Sequence, residues 1–286
     1  MVETTGQITL RKENVDSTVK GFALQSYKFK NSLMIQSSNS WKETYFQEGS
    51  SELTGGTGSA VKGIPRNAAF PYGEPNWEEK SKRMEKYGME GVVSWEDART
   101  SEIDVIARTL LRIGRAVAKA VDDEIYSQIT TNAGNTVTIA AGNEWDSSTV
   151  AKRDPIQNIL DAIKEIETDN YDVSTGGELW LSPKDFANLM GNANVKNSGQ
   201  FFTSNVTKNG RVGRMLGLTI VKSVSVTADE AIVIIAKEAA TWKAAAPLTT
   251  VSITDPGIKT TIRAWEVGVT QVTNPKAICK ISNTQK

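Results

Sequence analysis

The sequence predicts an α+β fold, and three observations predict it. A long amphipathic helix occupies the stretch from Ser101 to about Thr130. Shorter helices and strand-forming stretches follow it without strict βαβ alternation. An extended hairpin, polar on both faces, precedes it. With 286 residues, 39% of them hydrophobic, the chain can bury a sizeable core in one or two domains.

The helix carries the strongest pattern. Ile103, Ile106, Leu110, Ile113, Val117, Val121 and Ile125 recur at spacings of three and four, one face of an α-helix. Arg108, Arg112, Arg115, Lys119 and Asp122 fall largely on the other faces. Ser101 and Asp104 predict a capping box, and Asn132 and Gly134 a stop. About 28 residues at ~1.5 Å each make a rod of roughly 40 Å. An average globular helix has only about 11–12 residues. Asp122-Asp123-Glu124 on this helix predicts solvated charge.

Residues 1–40 show no sustained period. Phe22, Leu24, Tyr27 and Phe29 are scattered among Ser, Lys and Asn, too few for a separate core. This predicts a disordered segment or an arm that orders against something else. Trp41, Tyr45 and Phe46 then lead into a Gly- and Ser-rich tip at 49–63, and Pro65, Pro71 and Pro75 punctuate the return. Over 76–91, Trp77, Glu79, Ser81, Arg83 and Glu85 alternate with Glu78, Lys80, Lys82, Met84 and Lys86. Neither face suits a monomer's core, so the hairpin is expected to project across a neighbouring copy.

Beyond the long helix, Asn135 to Ala141 predicts a short hairpin. Asp154-Pro155 opens a second helix, Asp as N-cap and Pro at the first helical position, with Ile156, Ile159, Leu160, Ile163 and Ile166 as its stripe. Gly177 starts a strand, and Ser182-Pro183 caps a short helix that Gly191 ends. Residues 192–213 predict a loop. Gly217–Val226 and Ala231–Ala236 are strand candidates by β-branched content. Asp255-Pro256-Gly257 is a turn, and Ile258–Ile281 predicts one long strand, or two divided at Asn274-Pro275.

Composition removes several function classes. Lys+Arg and Asp+Glu both number 33, so no overall field draws nucleic acid or an anionic membrane. The absence of histidine excludes Ser-His-Asp and Cys-His catalysis and imidazole zinc sites. Cys279, the single cysteine, alternates with Ala277 and Ile281 as a packed small hydrophobe and forms no intrachain disulfide. Gly55, Gly56 and Gly58 do not make a phosphate loop, because Lys62 is followed by Gly63. No secretory h-region and no ~18-residue apolar run is present.

The order of these parts resembles the major capsid proteins of tailed bacteriophages, the Hong Kong 97 fold. The stretch 95–129 looks like the loop exit and spine helix of that family. Leu181, Pro183 and Asp185 look like its Leu-X-Pro-X-Asp motif. Gly217, Leu218, Thr219, Ile220 and Val221 are similar to its Gly-Leu-Pro-Val-Val strand, with Thr219 departing from proline. Pro275, Ala277 and Ile278 look like its terminal pattern. The resemblance implies an N-terminal arm at 1–40 and an extended loop at 41–94. It also implies a peripheral domain at 95–145 and 251–286, and an axial domain at 146–250.

The resemblance further implies a self-assembling icosahedral shell around double-stranded DNA, located in the virion and assembled in the host cytoplasm. The partners implied are other copies in hexamers and pentamers, scaffold, portal and decoration proteins, and packaged DNA through non-specific contact. No enzyme activity, cofactor, metal or membrane is expected. Trp41, Tyr45, Phe46, Lys62, Trp77, Arg83 and Tyr87 are the expected intersubunit contacts. The alternatives are an encapsulin-type compartment enclosing cargo enzymes, and an enzyme with a carboxylate-only site. Some family members weld their shells through a loop lysine, an asparagine and a glutamate base. Lys62 and Glu266 fall where the first and last would be, but 255–266 contains no asparagine, so a shell without covalent cross-links is expected.

Overall fold

The computed structural model describes residues 12–49, 64–69, 77–100, 105–193, 195 and 214–286. The chain opens with α1 (Lys12–Ser26), a 3₁₀ turn at Lys30–Ser32, and β1 (Met34–Ser37). A hairpin follows, β2 (Lys42–Glu48) with β3 (Trp77–Arg83), then β4 (Glu85–Ser94) and a single turn, α2 (Asp97–Thr100). The spine is α3 (Val105–Thr131). After it come β5 (Asn135–Thr138), α4 (Pro155–Thr168), β6 (Gly177–Leu181) and α5 (Pro183–Gly191). The remaining strands are β7 (Arg214–Met215), β8 (Leu218–Lys222), β9 (Glu230–Ile235), β10 (Ala240–Asp255), β11 (Lys259–Val272) and β12 (Ile278–Ser282).

These strands form a four-stranded sheet, β1-β10-β11-β4, a six-stranded sheet, β5-β12-β9-β6-β8-β7, and the separate β2-β3 ribbon. The spine lies on one face of the four-stranded sheet. Its Ile106, Leu110, Ile113, Val117, Val121 and Ile125 are all buried, as their spacing requires. Ile103 and the capping pair Ser101 and Asp104 lie outside the described residues, as does most of the loop at 192–213. Local chemistry sets the other helix starts. The Asp154 side chain accepts from the Gln157 amide at 3.2 Å, and Ser182 from the Asp185 amide at 3.1 Å. Pro155 and Pro183 follow these caps, where the missing N–H has no partner to lose.

Several expectations are corrected. Residues 12–37 pack on their own subunit. Val15, Val19 and Ala23 are fully buried, and α1 runs so close to the spine that a Cβ on Gly114 would meet Val19 O at 3.1 Å and Phe22 Cβ at 3.2 Å. The stripe is narrow and includes an alanine, so it reads weakly in sequence. Asn135–Thr138 is a single strand, parallel to β12, and no hairpin. The strand expected across 76–91 breaks at Met84, where the chain leaves β2 for β11.

The strand pairings also cut the chain differently from the expected boundaries. β10 begins at Ala240, within 146–250, yet it pairs with β11 from Ala240↔Val272 to Asp255↔Lys259 and so belongs with the spine's sheet. β12, within 251–286, lies between β5 and β9 in the six-stranded sheet. A ladder that long commits the whole strand to one sheet, and the Pro275–Ala277 turn then carries the chain across.

Candidate assembly surface

The β2–β3 ribbon runs antiparallel from Lys42↔Arg83 to Glu48↔Trp77. Side chains alternate across a strand, so its two faces differ. Phe46 and Trp77 share the outer face, edge to face with centroids 6.5 Å apart. They are 55% and 49% exposed, and Trp41, at the other end of the ribbon just before β2, is 68% exposed. Arg83 is exposed on the same face. The other face leans on the chain's own body. Tyr45 is buried there, Gln47 Nε2 donates to Val272 O at 3.2 Å, and Lys82 bonds Gln128 of the spine. At the ribbon's end Glu48, directly opposite Trp77, is also buried, and its carboxylate accepts from Tyr171 Oη at 2.6 Å. Tyr45, expected at a subunit contact, is therefore occupied internally. Tyr87 lies in β4, half-buried and tilted against Trp242 at 6.1 Å. Lys62 lies outside the described residues.

Behind this ribbon sits a buried charged node that links the N-terminal segment to the spine and the sheet. Glu266 of β11 is completely buried. Its carboxylate accepts from Tyr27 Oη at 2.6 Å, from Trp242 Nε1 at 3.1 Å and from the Lys30 ammonium. Lys30 also stands over the Tyr27 ring, 4.4 Å from its centroid. Trp242 fits because Gly268 lies beneath it: a Cβ there would come within 2.4 Å of the indole. Burial and the Glu266 charge push the Tyr27 phenol well above its ordinary range.

Asp122, expected in solvent, is buried in the same region. Its carboxylate accepts the backbone amides of Lys28 at 2.7 Å and of Phe29 and Lys30 at 3.2 Å each. Burial pushes its pKa up to about 6, against the partial relief of those amides. Phe29 is held beyond it, stacked on Trp180 at 4.1 Å. Sequence reasoning missed Asp122 because its partners are backbone groups some ninety residues away. Among the described residues no group of three or more His, Cys, Asp or Glu side chains could hold a metal, and no helix is long and apolar enough to cross a membrane.

A sequence model of the family described as phage capsid protein matches residues 77–281, well over half of the chain. This chain belongs to the phage capsid protein family. No curated protein matches it in sequence. Solved structures supply the fold. The capsid of cyanophage P-SCSP1u is similar with a TM-score of 0.67 at 13% identity, covering 90% of this chain and 88% of that one. The virus-like particle from Pyrococcus furiosus gives 0.65 at 12%, covering 96% of this chain and 100% of that one. The mature capsid of bacteriophage PhiM1 gives 0.63 at 17%, covering 91% and 88%.

The capsid protein thus has the Hong Kong 97 fold that its order of elements resembles, and it is a shell subunit. The family match does not favour the encapsulin alternative. Glu266, which the resemblance put near the place of a cross-linking base, already holds an ammonium, a phenol and an indole. Those contacts use the carboxylate as an internal tie.

Proposed function

We propose that the capsid protein closes into an icosahedral shell of hexamers and pentamers around a double-stranded DNA genome. It carries out no reaction and needs no cofactor. Contact between copies is made by the exposed side chains of the hairpin, Phe46, Trp77 and Arg83 on its outer face and Trp41 at its base. The observation that carries this is the exposed Phe46–Trp77 pair, a packed aromatic unit that keeps about half of its surface in solvent. Large aromatics of this kind are the usual anchors of protein interfaces. Scaffold, portal and decoration proteins join the shell, assembly takes place in the host cytoplasm, and the packaged DNA is touched without sequence preference. Repetition over many copies makes a stable shell from contacts that are weak singly.

Electron microscopy of the purified protein tests this reading. Closed particles of uniform diameter are expected from the parent chain. A Phe46→Ser/Trp77→Ser variant should keep its circular dichroism spectrum and form no regular particles. Parent-like shells from that variant would remove the hairpin from the interface.

A further inference from the structure

The spine helix has a second face that the shell reading leaves unused. Arg108, Arg112, Arg115 and Lys119 follow one another at spacings of four, three and four. At about 100° per residue they fall within roughly 60° of arc, opposite the buried stripe, over about 16 Å of axis. They are the only cations between Val105 and Thr131, and all four are exposed. Of the carboxylates on the same helix, one meets the stripe, at Lys119, and the three arginines are left to themselves. Asp122 is buried on backbone amides, Asp123 binds Lys119 at 2.6 Å, and Glu124 accepts from Gln128 at 2.7 Å. Arg108, Arg112 and Arg115 pair with no carboxylate among the described residues.

We propose that this stripe is a contact for the phosphate backbone of double-stranded DNA. Three of its four cations are arginines, whose planar fork matches phosphate oxygens. One strand of duplex presents a phosphate about every 3.4 Å of axis, so a rod face of this length meets several at once. An acidic protein surface is the weaker fit, because a protein interface needs a desolvated apolar anchor. None of the exposed large apolar side chains lies on this helix. The net charge of zero makes the stripe a local feature, able to touch DNA without binding the whole shell to it. The proposal rests on the reading of the shell as a genome container, but it is measurable without assembly.

The test uses the full unassembled chain and a fluorescein-labelled 20-base-pair duplex, with anisotropy read across a salt series. An Arg108→Gln/Arg112→Gln/Arg115→Gln variant should lower the slope of log K against log salt by about 3, close to 0.9 per lost phosphate contact. The loss should be equal for two unrelated sequences. A Lys152→Gln/Lys164→Gln/Lys259→Gln variant, which removes exposed lysines elsewhere, should leave the slope unchanged. An unchanged slope in the arginine variant, an equal loss in the lysine variant, or a parent chain that does not bind would overturn the proposal. So would displacement of the duplex by poly-glutamate at equal charge, which would assign the stripe to an acidic protein. Micrographs of the same arginine variant separate the two readings: shells that form normally leave the container reading intact whatever the slope does.

Discussion

The two large sheets are built for different neighbours. In the six-stranded sheet, β9 is buried on both faces. Ala231, Ile232, Val233 and Ile234 have no exposure at all, and Ile235 is 1% exposed. Its sequence is correspondingly an unbroken apolar run, as expected of a strand covered on both sides. The four-stranded sheet is covered along one face by the spine, and on the other at the end where Met84, Val267 and Val269 form a small buried cluster. Ile262 and Ala264 lie under the spine, while Val92 and Ile253 on the far face are 53% and 43% exposed. On that far face Arg263 and Glu90 form an ion pair at 2.5 Å in solvent. A sheet covered twice stabilises the subunit by itself. One left partly open on its far face contributes less to the monomer and leaves that part for other copies.

The largest effect should come from the junction of the two regions. Trp180 is fully buried in β6 and stacked on Phe29 of the N-terminal segment. Trp180→Ala should cost about 3–5 kcal/mol, as aromatic truncations in cores do. Denaturant unfolding of the isolated subunit measures it. A loss below 1 kcal/mol would mean that the N-terminal segment is not seated there in solution.

Next comes the spine. Leu110, 2% exposed, faces the four-stranded sheet. Leu110→Ala should cost about 2–5 kcal/mol in the same assay. Arg112→Ala, on the outer face, should stay within about 0.5 kcal/mol, as most surface changes do. Equal costs would show that the helix is rotated relative to the sheet.

These two substitutions also mark what was legible in the sequence. The spine's stripe and the caps at Asp154 and Ser182 depend on residues within a turn or two, so period and cap chemistry expose them. β10 was not foreseen. Its run Ala244-Ala245-Ala246-Pro247 breaks the alternation where the ladder with β11 shifts register, between Ala244 and Ala246 and again before Thr249. The Glu266 node was invisible for another reason. Tyr27 and Lys30 reach it across 239 and 236 residues of chain. In the hairpin, the exposure of Trp41, Phe46, Trp77 and Arg83 agrees with the polar pattern, whereas Tyr45 is buried against the body, which pattern alone does not tell apart.

A smaller effect is expected from pH. The Asp122 carboxyl sits at about 6 in the folded chain, above the ordinary aspartate value of about 3.9. The folded chain therefore holds a proton that the unfolded chain has already released. Its contribution is fully present below about pH 4 and is lost as pH rises through 6. Acidifying from pH 7 to 5 should raise stability by roughly 1.3 kcal/mol at most, because only about one of the two units, at ~1.4 kcal/mol each, is gained in that window. Asp185, also raised by burial, acts in the same direction. Asp16 and Asp146 are held low, so they lose stability only at more acid pH. Melting temperatures at pH 5 and 7 measure the effect, and Asp122→Asn should flatten the difference. A parent chain that melts lower at pH 5 would show that this carboxylate is better solvated than its burial implies.

The smallest change is expected on the open face of the four-stranded sheet. Ile253 and Val92 both flank Thr261 of β11 in the ladder, so all three point to the same side. Ile253 and Val92 keep about half of their surface in water in the subunit, so less apolar area is lost there than at a core position. Ile253→Thr and Val92→Thr should each change the unfolding free energy of the isolated subunit by less than about 0.5 kcal/mol. The comparison of the sheets becomes sharp when the same variants are assembled. If the face is covered by another copy in the shell, assembled particles should lose stability to heat while the free subunit does not. Identical melting of variant and parent shells would mean that this face stays in solvent after assembly, and that the incomplete cover of the sheet is simply a property of the subunit.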